Sequence, residues 1–146
     1  MTEPLTAADP GTIEREIRID ARPETVFPYF VDPERMVRWM GRTAELDATP
    51  GGTFRIDYNG EDIARGTYVE IDSPRRIVFT WGWEAPGDAT PPGASTVEVT
   101  LTPDGDGGTL LHLRHSGLPV EAVKGHAIGW DQFLPNLVAA AVATSA

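Results

Sequence analysis

Cysteine is absent from the 146 residues of the chain. That excludes disulfides, a thiolate nucleophile and thiolate-ligated metal, and it leaves the fold to stand on packing. Long apolar runs are also missing, since nothing approaches the ~20 consecutive residues of a membrane-spanning helix. The opening stretch MTEPLTAADPG has neither the basic nor the apolar region of a signal peptide, so a cytoplasmic location is the default expectation. Positive charge is scarce, with 12 basic against 22 acidic side chains and a net charge of −10. Such a field repels nucleic-acid phosphates and anionic lipid surfaces. The local basic group Arg35, Arg38 and Arg42 reads as a solvated helix face, so neither nucleic acid nor membrane is expected as a partner.

What remains is the composition of a packed globular chain: 40% hydrophobic residues with 23% charged argue against disorder. The length suits one domain with a real core. Residues 1–11 are polar and proline-containing and read as a flexible tail, leaving 12–146 as the domain.

Along that domain the hydrophobic period changes twice. Ile13, Arg15, Ile17 and Ile19 alternate with Glu14, Glu16 and Arg18, the mark of a half-exposed antiparallel strand. From Arg22 to Met40 the period becomes helical. Pro23 suits a first helical position, Pro28 breaks the run, and Asp32 caps a second short helix beginning at Pro33. A series of strands follows. Phe54, Ile56 and Tyr58 share one face. Asn59–Gly60 predicts a two-residue hairpin. Thr67, Val69 and Ile71 are read as one face of the next strand, with Tyr68, Glu70 and Asp72 on the other. Ile77, Phe79, Trp81 and Trp83 line a further strand, then a proline-rich loop leads to Val97, Val99 and Leu101, and finally to Leu111, Leu113 and His115. Six or seven strands joined largely by short turns predict an antiparallel meander.

From Pro119 to about Ala143 helical spacing returns through Val123, Ala127, Trp130, Leu134, Leu137 and Ala141. At ~1.5 Å per residue this rod is roughly 35 Å long, about the span of the sheet. Pro135 either ends this helix or bends it; the continuing apolar spacing favours the bend. Fold class is therefore α+β, a curved antiparallel sheet wrapped around a long C-terminal helix. One helix, ~10 Å wide, cannot fill the whole concave face. The remainder is either plugged by large aromatic side chains or left as an apolar cavity, with Tyr58, His115 and His126 as polar groups near it.

The phrases PETVFPYFVDPERMVRWM, PGGTFRID, RGTYVEIDSPRRIVFTWGW, LRHSGLP and GHAIGWDQFLPNL, in that order, resemble the activator-of-heat-shock-ATPase-like branch of the START/Bet-v-like (SRPBCC) superfamily. The resemblance covers about residues 12–142. It implies a helix-grip fold: seven antiparallel strands gripping the C-terminal helix, with two short helices after the first strand and a hydrophobic ligand held between sheet and helix. It also implies that Trp39, Phe79, Trp81, His115, Trp130 and Leu134 line the cavity or anchor the helix, and that Gly129 permits close approach of helix to sheet.

The reading these features favour is binding of a small hydrophobic or amphipathic molecule. The expected ligand-binding residues are Trp39, Phe54, Tyr58, Phe79, Trp81, Trp83, His115, His126, Trp130, Phe133 and Leu134, with no metal and no cofactor. One alternative is a cyclase- or hydrolase-like enzyme using His115 or His126 as acid or base and Tyr58 to polarise a carbonyl. In that reading Asp131 falls on the wrong helix face and is solvated. Another is a co-chaperone-like interaction role, although the eukaryotic relatives that act so need an additional N-terminal domain and only about eleven residues precede the first strand. Homodimerisation through an edge strand or the Trp83–Ser95 loop is a further expectation that nothing in the sequence selects.

Overall fold

The computed structural model describes residues 10–145. Seven strands form one antiparallel sheet in the order β1-β7-β6-β5-β4-β3-β2. They are β1 (Ile13–Ile19), β2 (Thr43–Leu46), β3 (Thr53–Asp57), β4 (Ile63–Asp72), β5 (Arg76–Trp81), β6 (Ser95–Asp104) and β7 (Gly108–Ser116). Between β1 and β2 come α1 (Pro23–Val26), a 3-10 turn (Phe27–Phe30) and α2 (Pro33–Met36); α3 (Val120–Ser145) closes the chain. Pro23 stands at the start of α1, Pro28 falls in the tighter 3-10 turn, and the Asp32 carboxylate accepts from the Glu34 amide at the start of α2, as the proline and capping signals require. The first nine residues of the expected tail lie outside the described residues. Gly11 is buried and its carbonyl accepts from the Leu118 amide at 3.1 Å, so the tail is already docked at that point.

Three local expectations are corrected. β2 was not anticipated, because its half-exposed pattern buries no side chain fully. The β3–β4 connection is a five-residue loop, residues 58–62, and not a two-residue hairpin. The Asn59 side chain accepts from the amides of Glu61 and Asp62, and Gly60 takes φ +88°. In β4 the inward face is Ala64, Gly66 and Tyr68, while Val69 is exposed. A register shift between Tyr68 and Glu70 inserts the extra residue that moves Ile71 back inward, a bulge that a strict period of two conceals. As the continuing apolar spacing favours, α3 does not end at Pro135 but runs on through it, with Pro135 exposed.

The core is packed in two parts. Beneath the C-terminal half of α3, Phe54 stacks on Phe79 at 4.1 Å, Tyr68 meets Phe54 edge-on at 5.6 Å, and Phe30 meets Trp39 edge-on at 5.3 Å. Leu134, Leu137 and Ala141 close this layer from the helix. Each large apolar side chain so buried contributes roughly 1.5–3 kcal/mol. Polar tips in this layer find backbone carbonyls: Tyr68 donates to Phe30 at 2.8 Å, Trp39 to Tyr29 at 3.0 Å and Tyr29 to Ala140 at 3.0 Å. These bonds clamp the short helices between sheet and α3. Beneath the N-terminal half of α3 the interior is not filled.

Candidate functional site

The unfilled region is an open cleft of about 630 Å³ between the first turns of α3 and the end of the sheet formed by β3, β5 and their loops. Its walls are mainly rings. Tyr58 lies 5.7 Å from Trp83 and 5.5 Å from Phe133, and Trp81 lies 5.6 Å from Trp83 and 5.8 Å from Trp130. Helix α3 contributes a stripe at helical spacing: Ala122, Gly125, His126, Gly129, Trp130 and Phe133. A Cβ added at Gly125 or Gly129 would meet nothing within 4 Å. Gly129 therefore keeps the cleft wide; the close approach of helix to sheet expected there does not occur.

Two histidine–indole pairs fix the geometry. Trp130 Nε1 donates to His115 Nδ1 at 3.0 Å, and His115 Nε2 bonds Ser95 Oγ at 2.8 Å. Nδ1 is thus the acceptor and Nε2 carries the proton, with Ser95 Oγ donating onward to the Trp81 carbonyl at 2.8 Å. Burial, and secondarily His126, pushes the His115 pKa down to about 3, so the ring is neutral. His126 has the opposite tautomer: its Nε2 accepts from Trp83 Nε1 at 3.0 Å and its Nδ1 donates to the Ala122 carbonyl at 2.8 Å. The two imidazoles meet edge to face with centroids 5.3 Å apart. Tyr58 makes no hydrogen bond through its hydroxyl among the described residues, and burial raises its pKa, holding the phenol protonated.

Of the residues expected from sequence, the structure brings Tyr58, Trp81, Trp83, His126, Trp130 and Phe133 to the cleft wall. Trp39, Phe54, Phe79 and Leu134 lie in the filled layer, and His115 sits behind Trp130 as its buried hydrogen-bond partner. Sequence reasoning missed Met40, Asp62, Asp88, Ala89 and Glu121, along with the small residues of the α3 stripe. The Gly-x-x-x-Gly spacing at 125 and 129 carried that signal, because glycine one turn apart in a helix costs stability unless space is wanted. Asp131 lies off the cleft and is largely exposed, as its helix phase implies. It reaches β1, where Arg15 grips it with two bonds, at 2.7 and 3.0 Å. Among the described residues no group of three His, Asp or Glu side chains is placed to hold a metal, and no described helix is long and apolar enough to cross a membrane.

A seven-stranded antiparallel sheet around a long C-terminal helix, with short helices after the first strand, defines the helix-grip class. The chain belongs to the family described as Activator of Hsp90 ATPase homolog 1-like protein, which it matches over residues 20–142, consistent with the SRPBCC superfamily. An AHSA1-like protein from Rhizobium etli, solved in solution, is 39% identical with a TM-score of 0.69, over 89% of this chain and 81% of that one. An HSP90 activator from Plasmodium falciparum is 26% identical with a TM-score of 0.74, over 86% and 92% of the two chains. An uncharacterized protein of Schizosaccharomyces pombe is 27% identical over 78% of this chain, which spans only 33% of that relative's length.

Proposed function

We propose that the chain binds a small hydrophobic or amphipathic molecule in the cleft beneath the N-terminal half of α3. The observation that carries this reading is an open, aromatic-walled cavity of about 630 Å³, within the ~300–1,000 Å³ typical of small-molecule sites, beside the packed layer of buried side chains under the C-terminal half of α3. The indoles of Trp83 and Trp130 are held by His126 and His115, so the binding surface is fixed before a ligand arrives. The same bonds weigh against the enzymatic alternative. Both nitrogens of each imidazole are engaged within the protein, which leaves neither a free lone pair nor a free N–H for acid–base work.

The test is displacement of an apolar fluorescent dye, with native mass spectrometry of the purified chain. Gly129→Leu, which projects a side chain into the cleft, is expected to abolish dye binding while the folded spectrum is retained. Dye binding unaffected by Gly129→Leu would place the ligand elsewhere and sink the reading.

The Plasmodium falciparum relative supports a second reading, stimulation of a chaperone ATPase by direct contact. It is checked by adding this chain to purified Hsp90; an unchanged turnover disposes of it. Self-association through the sheet edges β1 and β2 is decided by sedimentation.

A further inference from the structure

The rim of the cleft carries charge of one sign. Asp62 from the β3–β4 loop, Asp88 from the β5–β6 loop and Glu121 from the first turn of α3 line it, and no lysine or arginine does. All three are exposed. Asp62 accepts from the Asn59 side chain and Asp88 from the Thr90 amide, each at 2.8 Å. These neutral partners orient the two carboxylates without cancelling their charge, and among the described residues none of the three is paired with a cation. Arg42, beside the β3–β4 loop, is turned to Asp57 at 3.6 Å. The one lining group able to become cationic, His126, has its only N–H committed to the Ala122 carbonyl and its other nitrogen accepting from Trp83. An anion in this cleft would therefore meet carboxylates and no positive partner. A cation would meet the rim carboxylates and the aromatic rings of the wall.

We propose that the cleft selects amphipathic molecules with a flat apolar body and a protonated or quaternary amine, and rejects apolar carboxylates such as fatty acids. The inference rests on the binding role proposed above and adds the charge class of the ligand. Exposed carboxylates are individually weak and screened beyond ~8 Å at physiological salt. Three around one mouth, together with ring faces, are expected to favour an amine over a matched neutral compound by about tenfold, and over the matched carboxylate by more.

Calorimetric titration of the full chain with three naphthalene probes tests this: 2-naphthylmethylammonium, 2-naphthylmethanol and 2-naphthoate, in physiological salt. The ammonium is expected to bind tightest and the carboxylate weakest. The variant Asp62→Asn/Asp88→Asn/Glu121→Gln is expected to bind the alcohol unchanged and to lose the preference. Glu16→Gln/Glu24→Gln/Asp106→Asn alters net charge equally at exposed positions outside the cleft and is expected to keep the preference, which separates a local effect from the overall field of the molecule. If the alcohol binds but the ammonium and carboxylate bind within about twofold of each other, the charge selection is wrong and the binding role survives. A preference that outlasts the rim variant, or is lost in the control variant, also overturns the selection. If none of the three binds, the binding role itself falls and the inference with it.

Discussion

The Trp130 indole on α3 donates its N–H to Nδ1 of His115 on β7 at 3.0 Å, with both side chains buried. The bond exists only while Nδ1 is unprotonated, which ties the seating of the helix to the charge state of one imidazole. Histidine in the unfolded chain takes up its proton near pH 6.5, whereas His115 in the fold does so only near pH 3. The unfolded state therefore binds more protons across that window. The stability contribution is complete above pH 6.5 and is lost as pH falls from 6.5 toward 3. Between pH 8 and pH 5 the loss is about 2 kcal/mol. Urea unfolding at those two values is expected to show it, and His115→Gln to flatten it. Equal slopes in wild type and variant would contradict the assignment.

Gly125 and Gly129 border empty space, so alanine fits at both positions without contact. Each Gly→Ala change is expected to stabilise the chain by roughly 0.5–1 kcal/mol through helix propensity, raising the midpoint of thermal unfolding. Affinity for an apolar dye should fall in the same variants, since each methyl narrows the cleft. A gain in stability with unaltered affinity would show that the glycines do not shape the site.

Arg15 and Asp131 join β1 to α3 through two bonds but remain well exposed, at 33% and 58% of their side-chain surface. The Arg15 guanidinium holds the Asp131 carboxyl below its ordinary pKa. The stability this pair gives is present above the unfolded carboxylate pKa and is lost on acidification below it. Solvent screening keeps it small. A double-mutant cycle with Arg15→Gln and Asp131→Asn is expected to give a coupling of about 0.5 kcal/mol; a value several times larger would mean that the pair, and not the apolar stripe, docks the helix.

Gly66 on β4 lies opposite Phe54 on β3, and a Cβ placed there would overlap the Thr80 carbonyl on β5. The obstacle is backbone within a paired strand, which cannot yield as a flexible side chain can. Gly66→Ala is expected to cost more than about 3 kcal/mol, measured as a fall in the denaturant midpoint. Gly87→Ala, at a position with φ +78° but open space around it, should cost less.

The sheet, the two short helices and the long C-terminal helix were legible because their signals are local: a period of two, a capping aspartate, prolines at the right positions. What escaped was set by neighbours. β2 has no fully buried residue to declare its face. The inward direction of Tyr68 depends on a bulge and on a hydroxyl that reaches the Phe30 carbonyl, neither visible in a pattern of alternating polarity. The aromatic wall of the cleft was legible as a set of rings on inward faces. Which rings remain uncovered was not, because Phe54 and Phe79 follow the same parity as Trp81 and differ from it only in lying beneath the filled half of α3. Asp62 and Asp88 come from loops, whose paths strand periodicity does not specify.

Because Trp83 and Trp130 are each tethered through the indole nitrogen to a histidine, neither ring can rotate without breaking its hydrogen bond. A guest entering the proposed site would find both rings already ordered, so binding would cost little freedom on the host's side. Selection by shape would then fall on the guest: a molecule that needs either ring turned aside must break an indole–imidazole bond, and is disfavoured against one of equal hydrophobicity that does not.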